Sequence, residues 1–233
     1  MLRRLKAAVC EANLELVRQG LVTLTWGNVS GLSEDRQFLV IKPSGVSYSE
    51  LNPDQMVVVD LDGQVVEGDL RPSSDTPTHV LLYRHFPRVF GITHTHSTQA
   101  TAFAQARREI PCFGTTHADH FYGPVPVTRP LSPAEVDEAY ERYTGEVILE
   151  RFAELKPLEM PAVLVAGHAP FTWGRDAGES VRNAIALEAV AAMAQLTLAL
   201  RPDALPLEDY VLDKHYQRKH GPSAYYGQDA QKH

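Results

Sequence analysis

The chain has 233 residues, 44% of them hydrophobic and 22% charged, with a formal net charge of −7. That composition is ordinary for a globular protein able to bury a core without disulfides or a structural metal, and its acidic balance argues against nucleic acid as the default partner. The two cysteines, Cys10 and Cys112, lie in no CxxC spacing, as expected of a reduced, intracellular chain.

Leu2, Leu5, Val9, Ala12 and Leu16 recur at spacings of three and four, which predicts a helix over 2–19 stopped by Gly20. Glu11, Asn13 and Glu15 interrupt any apolar run of signal-peptide length, so an amphipathic helix is expected there. A β-branched run over 21–31 is expected to break into a turn at Gly27-Asn28, and a second strand, 38–48, into the Pro-Ser-Gly turn at 43–45. Residues 56–68 predict a hairpin turning at Asp62-Gly63.

A helix over 76–86 enters from Ser73-Ser74-Asp75 with Pro77 in its first turn. Strand 91–96 and helix 97–107 follow, then a loop over 110–130 rich in His, Asp, Tyr, Gly and Pro. Ser132 and Glu135 spell a capping box for a helix over 132–152. Residues 161–174 predict two short strands joined at His168-Ala169-Pro170, and a long helix spans 176–200. Its apolar part, 184–200, is short for a membrane span and carries Glu188 and Gln195, so a core or subunit-interface helix is expected. A charged helix and a polar-aromatic end complete the chain over 207–228. No repeat or linker divides the sequence. One α/β domain over 1–233 is expected, with a mixed or antiparallel sheet flanked by helices.

Three groups of residues carry chemistry. His94 and His96, two apart on a strand, project from one face. With Asp75 before them and His168 at a later strand end, they offer three imidazoles and one carboxylate to a metal with open positions. His79, His85 and His117 compete for that role, and His79 and His85 are expected on a helix and partly exposed. Gly27-Asn28, Ser44-Gly45 and Ser73-Ser74 form turns suited to an anion, the last ahead of a helix N-terminus, with Lys42 adding positive charge. Asp119, in the loop GTTHADHFYG, and the tail pair Tyr225-Tyr226 are candidates for proton transfer.

Together, TLTWGNVS (23–30), IKPSGVSY (41–48), PSSDTPTH (72–79), HTHS (94–97), GTTHADHFYG (114–123) and LDKHYQRKHG followed by AYYGQ (212–228) resemble the class II aldolase/adducin family, nearest its L-ribulose-5-phosphate 4-epimerase branch. The resemblance implies a three-layer fold around a mostly antiparallel sheet. It implies Zn2+, replaceable by Mn2+, Co2+ or Ni2+, on Asp75, His94, His96 and His168. A phosphate pocket would use Gly27, Asn28, Ser44, Gly45, Ser73 and Ser74. Asp119 and Tyr226 would be the acid/base pair, with Tyr226 from a neighbouring subunit of a cytoplasmic homotetramer that engages neither membrane nor nucleic acid.

The implied activity interconverts L-ribulose 5-phosphate and D-xylulose 5-phosphate, as in arabinose catabolism. C3–C4 would break, glycolaldehyde phosphate would rotate, and the bond would re-form. The alternatives are an aldolase on a related ketose 1- or 5-phosphate, an epimerase on a sibling sugar phosphate, and a non-catalytic scaffold like the adducin head, which would have lost ligands. One departure is visible: Ala169 follows the fourth ligand where the family commonly has glycine.

Overall fold

The protein is described from a computed structural model, which places residues 2–222, 224 and 225. Its frame is a seven-stranded sheet in the order β4-β3-β2-β1-β5-β7-β6. The strands are β1 (Asn28–Leu32), β2 (Phe38–Ile41), β3 (Val57–Asp60), β4 (Val65–Glu67), β5 (Gly91–His94), β6 (Ala162–Leu164) and β7 (Pro170–Gly174). Every neighbouring pair is antiparallel. The helices are α1 (Leu2–Arg18), α2 (Thr76–His85), α3 (Thr98–Gln105), α4 (Thr115–Ala118), α5 (Pro133–Arg151), α6 (Ala177–Leu200) and α7 (Asp209–His220).

Strand alternation decides which helix covers which face. Leu39, Ile41, Val57 and Val59 join the core cluster built with α2 and α5, whereas Val40 and Val58 join the one built with α1 and the start of α6. Successive residues of a strand point to opposite faces. Both faces are therefore covered, and the strands read as continuous apolar runs. The result is helix, sheet, helix.

Three expectations change. The run 21–31 is strand only from Asn28, because Leu24 (φ 55) and Gly27 (φ 79) both take left-handed backbone ahead of it. Two positive φ angles cannot belong to a pleated strand. Gly27 is required there, since a Cβ would lie 2.8 Å from the His94 carbonyl oxygen. The loop over 110–130 contains the one-turn helix α4, too short to leave a periodic signal. Strand β5 ends at His94, so His96 lies beyond it. The 56–68 hairpin, the β6–β7 pair, Pro77 in the first turn of α2 and the Ser132–Glu135 capping box form as expected.

Helix α6 has the length and apolarity to cross a membrane, yet Ala177, Val181, Ala184, Leu187, Val190 and Ala191 are buried within this fold. The Glu188 carboxylate accepts from the backbone N–H groups of Gln99 and Ala100, capping α3. The opposite face of its last turns is exposed at Met193, Leu196 and Leu200. The core half of the expectation for this helix is therefore met.

Candidate active site

Antiparallel pairing of β1 with β5 sets Asn28 opposite His94, and pairing of β5 with β7 sets His94 opposite Phe171. The buried His94 ring stacks on Phe171, with centroids 4.2 Å apart. Its Nδ1 lies 3.0 Å from the Pro170 carbonyl oxygen, to which it donates, so Nε2 is left with its lone pair. His96 Nε2 stands 3.2 Å from it. His168 enters from the β6–β7 loop, its ring centroid 4.9 Å from His94 and 5.0 Å from His96.

One ring nitrogen from each of the three histidines lies within 4.8 Å of the others. A tetrahedral metal at ~2.0–2.1 Å from each nitrogen sets neighbouring ligand atoms ~3.3 Å apart. The donor set fits a divalent transition metal. Burial, then His94 and His96, pushes His168 down to about 4, and burial with His94 lowers His96. Both favour the neutral, ligating form.

Asp75 stands beside this group rather than within the tight triad. It occupies the N-cap position of α2 without capping it, and its Oδ2 accepts from Asn28 Nδ2 at 2.7 Å. Burial alone would raise its carboxyl, but His94, His79, the Asn28 amide and His168 bring it below the usual range. His79, expected to be partly exposed, is fully buried instead. Its Nδ1 lies 2.7 Å from Ser30 Oγ, which contacts Tyr83 Oη at 2.8 Å, because the helix face following Asp75 turns onto β1. His117 is buried and donates through Nε2 to the Gly123 carbonyl at 2.8 Å, and His85 bonds the Leu81 carbonyl. Both are structural.

The three glycine- and serine-bearing turns meet. Asn28 Nδ2 donates to Ser73 Oγ at 3.1 Å, Ser44 N to the Arg71 carbonyl at 2.9 Å, and Ser73 N to the Lys42 carbonyl at 3.0 Å. Ser44, Gly45 and Ser74 are exposed on this surface. Asn28 Oδ1 is buried with no hydrogen-bond partner among the described residues. Lys42 is 2% exposed, and its Nζ donates to the Val46 carbonyl at 2.8 Å beneath the turn. Burial lowers it to about 8.

Asp119, closing α4, belongs to a different cluster. Its carboxylate accepts from Arg218 Nη2 at 2.7 Å, Arg218 Nε at 3.1 Å and His215 Nδ1 at 3.1 Å, with Lys219 Nζ at 3.5 Å. Its backbone oxygen accepts from His220 Nε2 at 2.9 Å. Burial alone would raise the carboxyl, but Arg218, His215 and Lys219 hold it below the usual range. Sequence reasoning missed these partners, although residues 215, 218 and 219 share one helix face by their three- and four-residue spacing. It also missed Tyr140, whose hydroxyl reaches His168 Nδ1 at 3.3 Å. Tyr225 is exposed, its N–H on the Arg218 carbonyl at 3.0 Å. Tyr226 lies outside the described residues. A cavity of about 720 Å³ between α1 and α6 contains none of these groups.

The sequence profile of the class II aldolase and adducin N-terminal domain matches residues 7–195. The chain belongs to that family. It is 53% identical to L-ribulose-5-phosphate 4-epimerase UlaF of Salmonella paratyphi C over 227 residues, 97% of this chain and 100% of the relative. The same protein from Salmonella typhi matches to the same extent. Among solved structures, an L-fuculose 1-phosphate aldolase superposes with a TM-score of 0.75 at 24% identity, covering 92% of this chain and 95% of its own. The L-fuculose-1-phosphate aldolase of Thermus thermophilus gives 0.67 at 25% identity, covering 88% and 100%. The family's antiparallel sheet between helical layers is thus the fold of this chain.

Proposed function

We propose that the protein is a metal-dependent epimerase that interconverts L-ribulose 5-phosphate and D-xylulose 5-phosphate. Full-length identity of 53% to relatives named for that reaction carries the reading, and the converging histidines give it a chemical centre. His94, His96 and His168, with Asp75 alongside, would hold the metal, zinc in the first instance. When bound, a divalent metal supplies Lewis acidity to a carbonyl or enediolate oxygen.

The remaining work belongs to the chain. Gly27, Asn28, Ser44, Gly45, Ser73 and Ser74 hold the substrate phosphate, with exposed Ser44 and Ser74 hydroxyls as donors and the helix α2 N-terminus behind them. Inverting C4 by direct proton loss is unfavourable, because that C–H is not adjacent to the C2 carbonyl. Cleaving C3–C4 sends the bonding pair toward C2 and leaves glycolaldehyde phosphate tethered by its phosphate. Half a turn of its aldehyde and re-addition invert C4. Asp119, held ionised, takes the C4 hydroxyl proton on one face. Tyr226 of a neighbouring subunit returns a proton on the other face, and the roles exchange in reverse. The reading includes one catalytic domain over 1–233 acting as a cytoplasmic homotetramer with sites between subunits.

The test follows L-ribulose 5-phosphate with the metal-loaded protein and with His96→Asn, Asp119→Asn and Tyr226→Phe. D-xylulose 5-phosphate is expected from the wild type, with each variant reduced by at least ~100-fold. Free glycolaldehyde phosphate without xylulose 5-phosphate would replace the epimerase by an aldolase. Undiminished activity in all three variants would remove the site assignment.

A further inference from the structure

Helix α5 is interrupted at Ala139, where φ is −164° and ψ 75° inside an otherwise helical run. The Thr144 hydroxyl donates to the Tyr140 carbonyl at 2.9 Å, and the Thr78 hydroxyl of α2 donates to the Glu141 carbonyl. Thr78 lies three residues after Asp75, so the turn that follows the break is tied to the helix that begins at that carboxylate. Gly145 lets the two helices close, since a Cβ there would meet Leu81 Cδ2 at 2.8 Å. The residue directly after the break is Tyr140, with its hydroxyl 3.3 Å from His168 Nδ1.

We propose that Tyr140 is a positioning residue for His168, accepting its Nδ1–H and so directing Nε2 toward His94 and His96 to hold a divalent metal. The inference rests on the reading of the three histidines as a metal centre. A neutral imidazole that ligates through Nε2 keeps its proton on Nδ1, and that proton needs an acceptor. His94 has one in the Pro170 carbonyl at 3.0 Å. For His168, on a loop rather than a strand, the Tyr140 oxygen does the same work. A phenol oxygen carries lone pairs beside its own O–H. The phenol therefore accepts with a lone pair and retains its own proton.

Tyr140→Phe removes the oxygen and leaves the ring beside His168, so it isolates the hydrogen bond. Tyr143 is the control, because its hydroxyl donates to exposed Glu138. Metal-stripped wild type, Tyr140→Phe, Tyr143→Phe and His168→Asn are titrated with Co2+ against a competing chelator, following the visible absorption of the bound ion, and melted without metal. Tyr140→Phe is expected to bind Co2+ about 10- to 100-fold more weakly, with an altered Co2+ spectrum and unchanged metal-free melting; Tyr143→Phe is expected to match the wild type. Wild-type affinity and spectrum in Tyr140→Phe would overturn the inference, as would an equal loss in Tyr143→Phe or a lower metal-free melting temperature in Tyr140→Phe. If the wild type binds no Co2+, or His168→Asn binds it as tightly, the metal centre itself fails and takes the inference with it.

Discussion

The Asp119 carboxylate accepts three hydrogen bonds from Arg218 and His215 and faces Lys219, so ionisation is favoured more in the folded chain than in the unfolded one. Its folded pKa is depressed. The stabilisation is complete above the unfolded carboxylate value of ~3.9 and is lost as pH falls through the lower, folded value. Asp119→Asn is expected to reduce stability by about 2 kcal/mol at neutral pH, with the deficit shrinking below about pH 4. Urea unfolding across that range measures it, and a deficit independent of pH would show that charge is not the cause. The same depression leaves Asp119 ionised at neutral pH, the form in which it takes the C4 hydroxyl proton in the proposed reaction.

Strand β5 delivers His94 and also abuts the start of α6. At Gly91 an added Cβ would lie 2.1 Å from the Asp176 carbonyl oxygen and 2.5 Å from Ala177 N, both backbone atoms that cannot rotate away. Gly91→Ala is therefore expected to cost about 3 kcal/mol and to weaken metal binding, because strand and helix must part where the histidine is held. Chemical denaturation checks the first effect and Co2+ titration the second; unaltered stability would mean that the strand–helix contact relaxes freely. Element boundaries show where local signals compete. The β-branched residues of 21–27 favour a strand, but Leu24 and Gly27 are required to take left-handed backbone so that Asn28 can pair with His94.

The sheet order gathers residues remote in sequence: β1 brings Asn28, β5 His94, and the β6–β7 loop His168. Asp119 is instead engaged by α7. Proton transfer by Tyr226 from a neighbouring copy predicts complementation. Inactive His96→Asn and Tyr226→Phe subunits, unfolded and reassembled together, should regain activity at on the order of one site in four, those pairing an intact histidine set with an intact tyrosine. Activity of the mixture no greater than that of either variant alone would place the tyrosine in the same chain as the metal.

The sequence by itself determined the helix–sheet alternation, the close pair His94 and His96 and the serine-glycine turns, because periodicity, short-range spacing and turn chemistry are local properties written in consecutive residues. Tertiary structure decided that His79 is buried behind the site, that Lys42 holds its turn from beneath, and that α7 brings its cations to Asp119. It also brought Tyr140 to His168 across a break in α5 that no residue pattern announces. Those partners lie far apart along the chain, and only the packing of helices on the sheet brings them together.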